Sequence, residues 1–84
     1  MTYKEDMKDW VVQAIKGNGG EATLIQVAKY IWTNHEGDLR KYGDAFYTWQ
    51  YDMRWTAQYL RNEGLFVGAD QAPRGIWRYR DAAS

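Results

Sequence analysis

The residues with the most chemical potential cluster between positions 40 and 61. Tyr47, Tyr51, Arg54, Gln58 and Arg61 recur at spacings of four, three, four and three, so a helix over this segment carries phenol, guanidinium and amide groups on one face. Arg suits bidentate contact with phosphate or with a guanine edge, so a face of this kind has the groups for binding anionic, planar partners. The same stretch is dense in rings. Residues 42–59 hold seven of the fourteen aromatics: Tyr42, Phe46, Tyr47, Trp49, Tyr51, Trp55 and Tyr59. One helix buries only about half of such a set, and exposed aromatic surface beside Arg is a binding signal.

Catalysis finds less support. The chain contains no Cys and a single His, which leaves no thiolate nucleophile, no thiolate metal site, no disulfide and no His cluster. No Ser-His-Asp order, paired carboxylates or metal-ligand spacing appears. The acids near the Arg-bearing helix, Asp52 by Arg54 and Glu63 by Arg61, read as surface pairs. No catalytic residue, cofactor or metal is expected, and the chain is not read as an enzyme.

Charge supports a division of labour. Lys+Arg and Asp+Glu are 11 each. Up to Leu39 there are four Lys against six acids; beyond it, Lys41 and six Arg face five acids, and every Arg lies in this second half. A binding face is therefore expected there. No apolar run approaches the roughly 18 residues of a membrane span. Charges among residues 1–20 break any leader-like apolar core. A soluble, cytoplasmic protein is the expectation.

The elements that position these residues follow from the apolar spacing. Residues 5–16 read as a first helix with a stripe of Met7, Trp10, Val11, Ala14 and Ile15. Gly17 is the expected stop. Gly17-Asn18-Gly19-Gly20 resembles a phosphate loop, but it follows a helix rather than a strand and reads as a C-cap and turn. Glu21-Ala22-Thr23 is a short extended link. Thr23 caps a second helix, with Gln26 completing a capping box. That helix is expected to end near His35, a structural residue, and to bury Leu24, Val27, Ala28, Ile31 and Trp32. Residues 36–43 read as a loop. The third helix runs from about Asp44 to Glu63, with Trp49, Met53, Ala57 and Leu60 inward, Thr56 beside them, and Gly64 as its stop. Trp55 is left open, either packed under the C-terminal hairpin or lining a pocket. Leu65-Phe66-Val67 and Ile76–Arg80 then read as a β-hairpin, Trp77 and Tyr79 on one face, Arg78 and Arg80 on the other, with Pro73 and Arg74 at the tip.

Three helices followed by a two-stranded hairpin with a basic tip make the layout of a winged helix-turn-helix domain, an α+β fold whose small antiparallel sheet is completed by the Thr23 segment. The chain is expected to be one such domain over 1–84, with its core over about 5–80 and a frayed tail at 81–84. The run Arg54-Trp55-Thr56-Ala57-Gln58-Tyr59-Leu60-Arg61-Asn62-Glu63-Gly64-Leu65, followed by Pro73-Arg74-Gly75-Ile76-Trp77-Arg78, resembles the winged-helix domain at the N-terminus of Mrr-type restriction endonucleases. It is also similar to the reader domain of methyladenine-dependent restriction enzymes. The resemblance covers about residues 7–80. It implies a third helix in the major groove and a wing on the flanking backbone of double-stranded DNA. The nuclease domain of that family has no counterpart in these residues, so cleavage is not implied.

On this reading Arg54 meets a guanine edge and Gln58 an adenine. Thr48 and Gln50 lie near the end of the helix that goes deepest. Tyr47 and Tyr51 bond phosphates or pack on a base methyl, and Arg74, Arg78, Lys41 and Arg40 hold backbone phosphates. A stand-alone regulator, nucleoid-associated protein or modified-base reader is the function expected. A second copy of the chain or a protein partner is the further partner considered, and the alternative is a protein-interaction module working through the aromatic surface.

Overall fold

A computed structural model describes residues 2–67 and 75–79. In chain order it consists of α1 (Tyr3–Gly17), β1 (Glu21–Thr23), α2 (Leu24–Lys41), α3 (Ala45–Asn62) and β2 (Ile76–Arg78). Three helices pack on one another, and a small antiparallel sheet joins β1 to β2, giving an α+β fold.

The apolar stripe of α1 is buried as its spacing requires: Met7, Trp10, Val11, Ala14 and Ile15 are all in the core. Against them lie Val27, Ile31 and Leu39 of α2, Trp49, Met53, Ala57 and Leu60 of α3, and Ala22 and Phe66. The helix begins two residues before the expected start, because the Thr2 hydroxyl accepts a bond from the Glu5 amide. At its other end the Gly19 amide donates to the Lys16 carbonyl and the Gly20 amide to that of Ile15. This double closure needs a left-handed residue, supplied by Gly19 at φ 82°. The helix thus ends at Gly17, as expected, and the left-handed turn that closes it follows at Gly19.

Thr23 caps α2 through the expected reciprocal bonds: its hydroxyl accepts from the Gln26 amide, and the Gln26 side chain accepts from the Thr23 amide. The backbone leaves helical geometry at His35 (φ −131°, ψ 18°) but then resumes, so residues 36–41, expected as loop, are helical. Two forces favour the continuation. Leu39 is completely buried, and Arg40 grips Glu36 one turn back through bonds of 2.7 and 2.9 Å. His35 itself sits at the kink with its ring stacked 4.5 Å from Trp10 and its Nδ1 3.4 Å from Asp38.

α3 buries Trp49, Met53, Thr56, Ala57 and Leu60 and ends in a closure like that of α1. Gly64, at φ 86°, donates to Arg61 and Leu65 to Leu60. This closure explains a departure from the expected hairpin. Leu65 spends its amide on the helix end, and among the described residues the segment meets the sheet only through the Phe66–Tyr79 bridge and a 3.0 Å bond from the Val67 amide to the Arg78 carbonyl. The strand partner of β2 is instead β1, in the register Glu21–Arg78, Ala22–Trp77 and Thr23–Ile76.

Candidate nucleic-acid interface

α3 turns two rows of side chains away from the core. The first contains Tyr47, Tyr51, Arg54 and Gln58, all exposed, with Tyr47 85% and Tyr51 64% accessible. Gln50 is exposed beside them. These are the residues the spacing singled out. Arg61 departs from the row: it is half-buried, and its Nε finds no hydrogen-bond partner among the described residues. Arg54 has no ion-pair partner among the described residues, so its guanidinium is available to a partner molecule. The Gln58 amide donates to Asn62 at 3.1 Å, a bond to a neighbouring exposed side chain that a base edge can replace.

The second row contains Thr48, Asp52, Trp55 and Tyr59. Here the expected pairing of Asp52 with Arg54 is replaced by a different one. Positions i and i+2 point in different directions on a helix. Asp52 turns toward α1 and accepts bonds of 2.8 Å from both the Tyr3 and the Thr48 hydroxyls. Thr48, expected to face DNA, is thereby committed to Asp52. Burial, followed by the hydrogen bond and charge of Asp52, pushes the Tyr3 phenol well above its ordinary range. Tyr42 is tied to Asp6 in a similar way, and that bond raises its pKa. Glu63 likewise forms no ion pair with Arg61 among the described residues; the pairs present there are His35–Asp38, Arg40–Glu36 and Arg78–Glu21.

The proposed phosphate contacts are distributed unevenly. Arg40 is held by Glu36 and lies with its guanidinium 4.5 Å from the centre of the Phe46 ring. Lys41 is exposed in the last turn of α2. Arg78 faces Glu21 directly across the sheet and pairs with it at 3.3 Å, the position where opposite charges stabilise a ladder. Arg74, like Pro73 and Arg80, lies outside the described residues.

The aromatics divide between support and display. Trp32, expected to be buried, is 38% exposed, yet it stacks on Trp49 at 5.9 Å and tilts against Phe46 at 5.8 Å. Those contacts fix the N-terminal half of α3 against α2. Trp55 is 60% exposed and meets Tyr51 edge-on, 6.3 Å between ring centres. It lines a groove between α1 and α3 of about 660 Å³. Sequence reasoning missed the α1 wall of this groove, made by Tyr3, Lys4, Met7 and Lys8. Thr2 with Glu5 three residues on is a capping pattern that would have started the helix early enough to reveal it.

Among the described residues no group of three or more His, Asp or Glu side chains is placed to hold a metal ion. No helix there is long and apolar enough to cross a membrane. In comparisons with known proteins, no family model matches the chain, and neither a curated protein nor a solved structure matches it significantly.

Proposed function

We propose that this chain is a non-enzymatic winged-helix domain that binds double-stranded DNA, with α3 in the major groove and the segment around Arg74 on the flanking backbone. The observation that carries the reading is the outward row of α3. Arg54, Gln58, Tyr47 and Tyr51 stand exposed together, and the one acid of that helix, Asp52, is turned aside and satisfied by Tyr3 and Thr48. A carboxylate beside phosphates would oppose binding, so its withdrawal favours this face for a polyanion. Arg54 supplies the bidentate donor for guanine and Gln58 the paired donor and acceptor for adenine. Lys41 adds a phosphate contact from the end of α2, whereas Arg40 and Arg78 must first exchange Glu36 and Glu21 for phosphate. The three helices and small sheet are compatible with a winged helix similar to the N-terminal domain of Mrr-type enzymes. A regulator, a nucleoid-associated protein or a reader of modified bases, acting in the cytoplasm, fits this reading.

A titration of fluorescent duplex DNA followed by anisotropy at two salt concentrations tests it. Binding that weakens steeply with salt, through release of counterions, is expected. Absence of binding at low salt would overturn the reading. Methylated and unmethylated probes in the same titration separate a modified-base reader from a general binder.

A second reading draws on the exposure of Trp55 and Tyr51 next to Tyr59: a winged helix that contacts a protein or a second copy of itself. It predicts little salt dependence and, for self-association, a mass that grows with concentration.

A further inference from the structure

We propose that the groove between α1 and α3 is a binding site for a small planar aromatic carboxylate. The groove has the size of a ligand site, about 660 Å³, within the range of roughly 300–1,000 Å³ typical of small-molecule pockets. Its walls suit a flat apolar ring. Trp55 and Tyr59 stand along the α3 side, 60% and 44% exposed, and the floor is made by the buried Met7 and Thr56. Offset or edge-on stacking on such side chains, with a thioether beneath, stabilises an aromatic guest.

Its ends limit the guest to a compact molecule. At one end the Tyr3 hydroxyl crosses from α1 to Asp52 on α3, a 2.8 Å bond. At the other the Lys8 ammonium crosses to the face of Tyr59, 4.3 Å from the ring centre. Between Asp52 and Tyr59 the helix rises about 10 Å, the length of one or two fused rings with a substituent. An extended peptide would have to break both crossings, whereas a small molecule lies between them.

The charge of the lining selects the sign of the guest. Lys4 and Lys8 are spaced i, i+4 on α1, so both belong to the α1 wall of the groove. Neither forms an ion pair among the described residues. Asp52, the only acid of the lining, already accepts from Tyr3 and Thr48. An anionic head therefore meets two cations, while a cationic one would be repelled by both. A carboxylate lying beside the Lys8 ammonium adds a charge-assisted hydrogen bond to the attraction that Lys8 already has for the Tyr59 face.

The site is independent of the DNA-reading proposal, and its test contains no DNA. 2-Naphthoate, titrated into the isotopically labelled protein and followed by amide chemical shifts and calorimetry, is expected to bind with saturation and to shift residues 3–8 and 52–59. The neutral 2-naphthamide should bind about tenfold more weakly, the loss expected when two partly exposed cationic contacts lose their charged acceptor. A Lys4→Gln, Lys8→Gln double variant should lose a similar factor for the acid and little for the amide. Trp55→Ala should weaken both. All three side chains reach solvent, and unchanged helical circular dichroism verifies that each variant folds. Equal affinity for acid and amide, shifts centred elsewhere on the molecule, or no saturation at millimolar probe would each overturn the proposal.

Discussion

The two long faces of α3 are built from the same kinds of residue and do opposite things. Inward, Trp49, Met53, Ala57 and Leu60 are nearly inaccessible, and their spacing of four, four and three keeps them on one stripe against α1 and α2. Outward, Tyr47, Tyr51 and Trp55 are each at least 60% exposed, although by composition they are as suited to a core as Trp49. What separates the two sets is phase along the helix. An 84-residue domain has little apolar surface to spare, so leaving three large rings in solvent is compatible with stability only because the inner stripe is complete. The contrast assigns stability to the inner face and leaves the outer one in solvent, free for the recognition role proposed above.

Substitutions can break that division. The largest effect is expected at the centre of the inner stripe: Met53→Ala should cost about 2–5 kcal/mol in a denaturant melt, through lost burial and the cavity left behind. Next in size, Arg54→Ala should leave the melt within about 0.5 kcal/mol of the parent but weaken DNA binding by about 1–3 kcal/mol, measured by anisotropy at fixed salt. A loss of stability in that variant, with DNA affinity intact, would move Arg54 from recognition to support.

The bond that ties α1 to the side of α3 is weaker and depends on pH. Tyr3→Phe removes the bond to Asp52 and should cost about 1 kcal/mol at neutral pH. The sign of the pH effect follows from the direction of the shift. Tyr3 holds its proton more tightly when folded than the ordinary value of 10.0, so its contribution is full below about pH 10. It is lost as pH rises above that value, where the unfolded tyrosine ionises first. Melts between about pH 9 and 11 should therefore show a shallower decline in the Phe variant than in the parent. The smallest effect is expected at Tyr51: its change to Ala should alter stability by less than about 0.5 kcal/mol, and a larger loss would mean that the outer face is part of the fold.

Much of this division was legible in the sequence because helical phase is a local property. The stripes of α1 and α3, the Thr23 capping box and the exposure of Tyr47 and Arg54 all follow from spacing within one element. What was not legible depends on contacts between elements or on caps outside the expected bounds. Gly37 and Asp38 predict a loop around Leu39, whereas burial of Leu39 against the other helices, with the Arg40–Glu36 pair, makes the chain coil again after His35. Arg78 looked like a free cation on an outward strand face. Its partner, Glu21, is brought opposite by a strand pairing that no short-range pattern encodes. Trp32 followed the apolar period yet lies partly in solvent, because Trp49 and Phe46 cover one side of its ring and leave the other open.

The pairing of β1 with β2 also bears on how the molecule assembles. Glu21, in the link between α1 and α2, and Arg78 are far apart in sequence, and the bond from the Tyr79 amide to the Gly20 carbonyl joins the same two regions. Contacts so distant in sequence carry the largest loop-closure entropy, while the helices form from neighbouring residues. Folding should thus nucleate in the helices, and the sheet should zip last, fastening β2 to the link between α1 and α2 over a core already in place. Substitutions at Glu21 or Arg78 would then speed unfolding and leave the folding rate nearly unchanged.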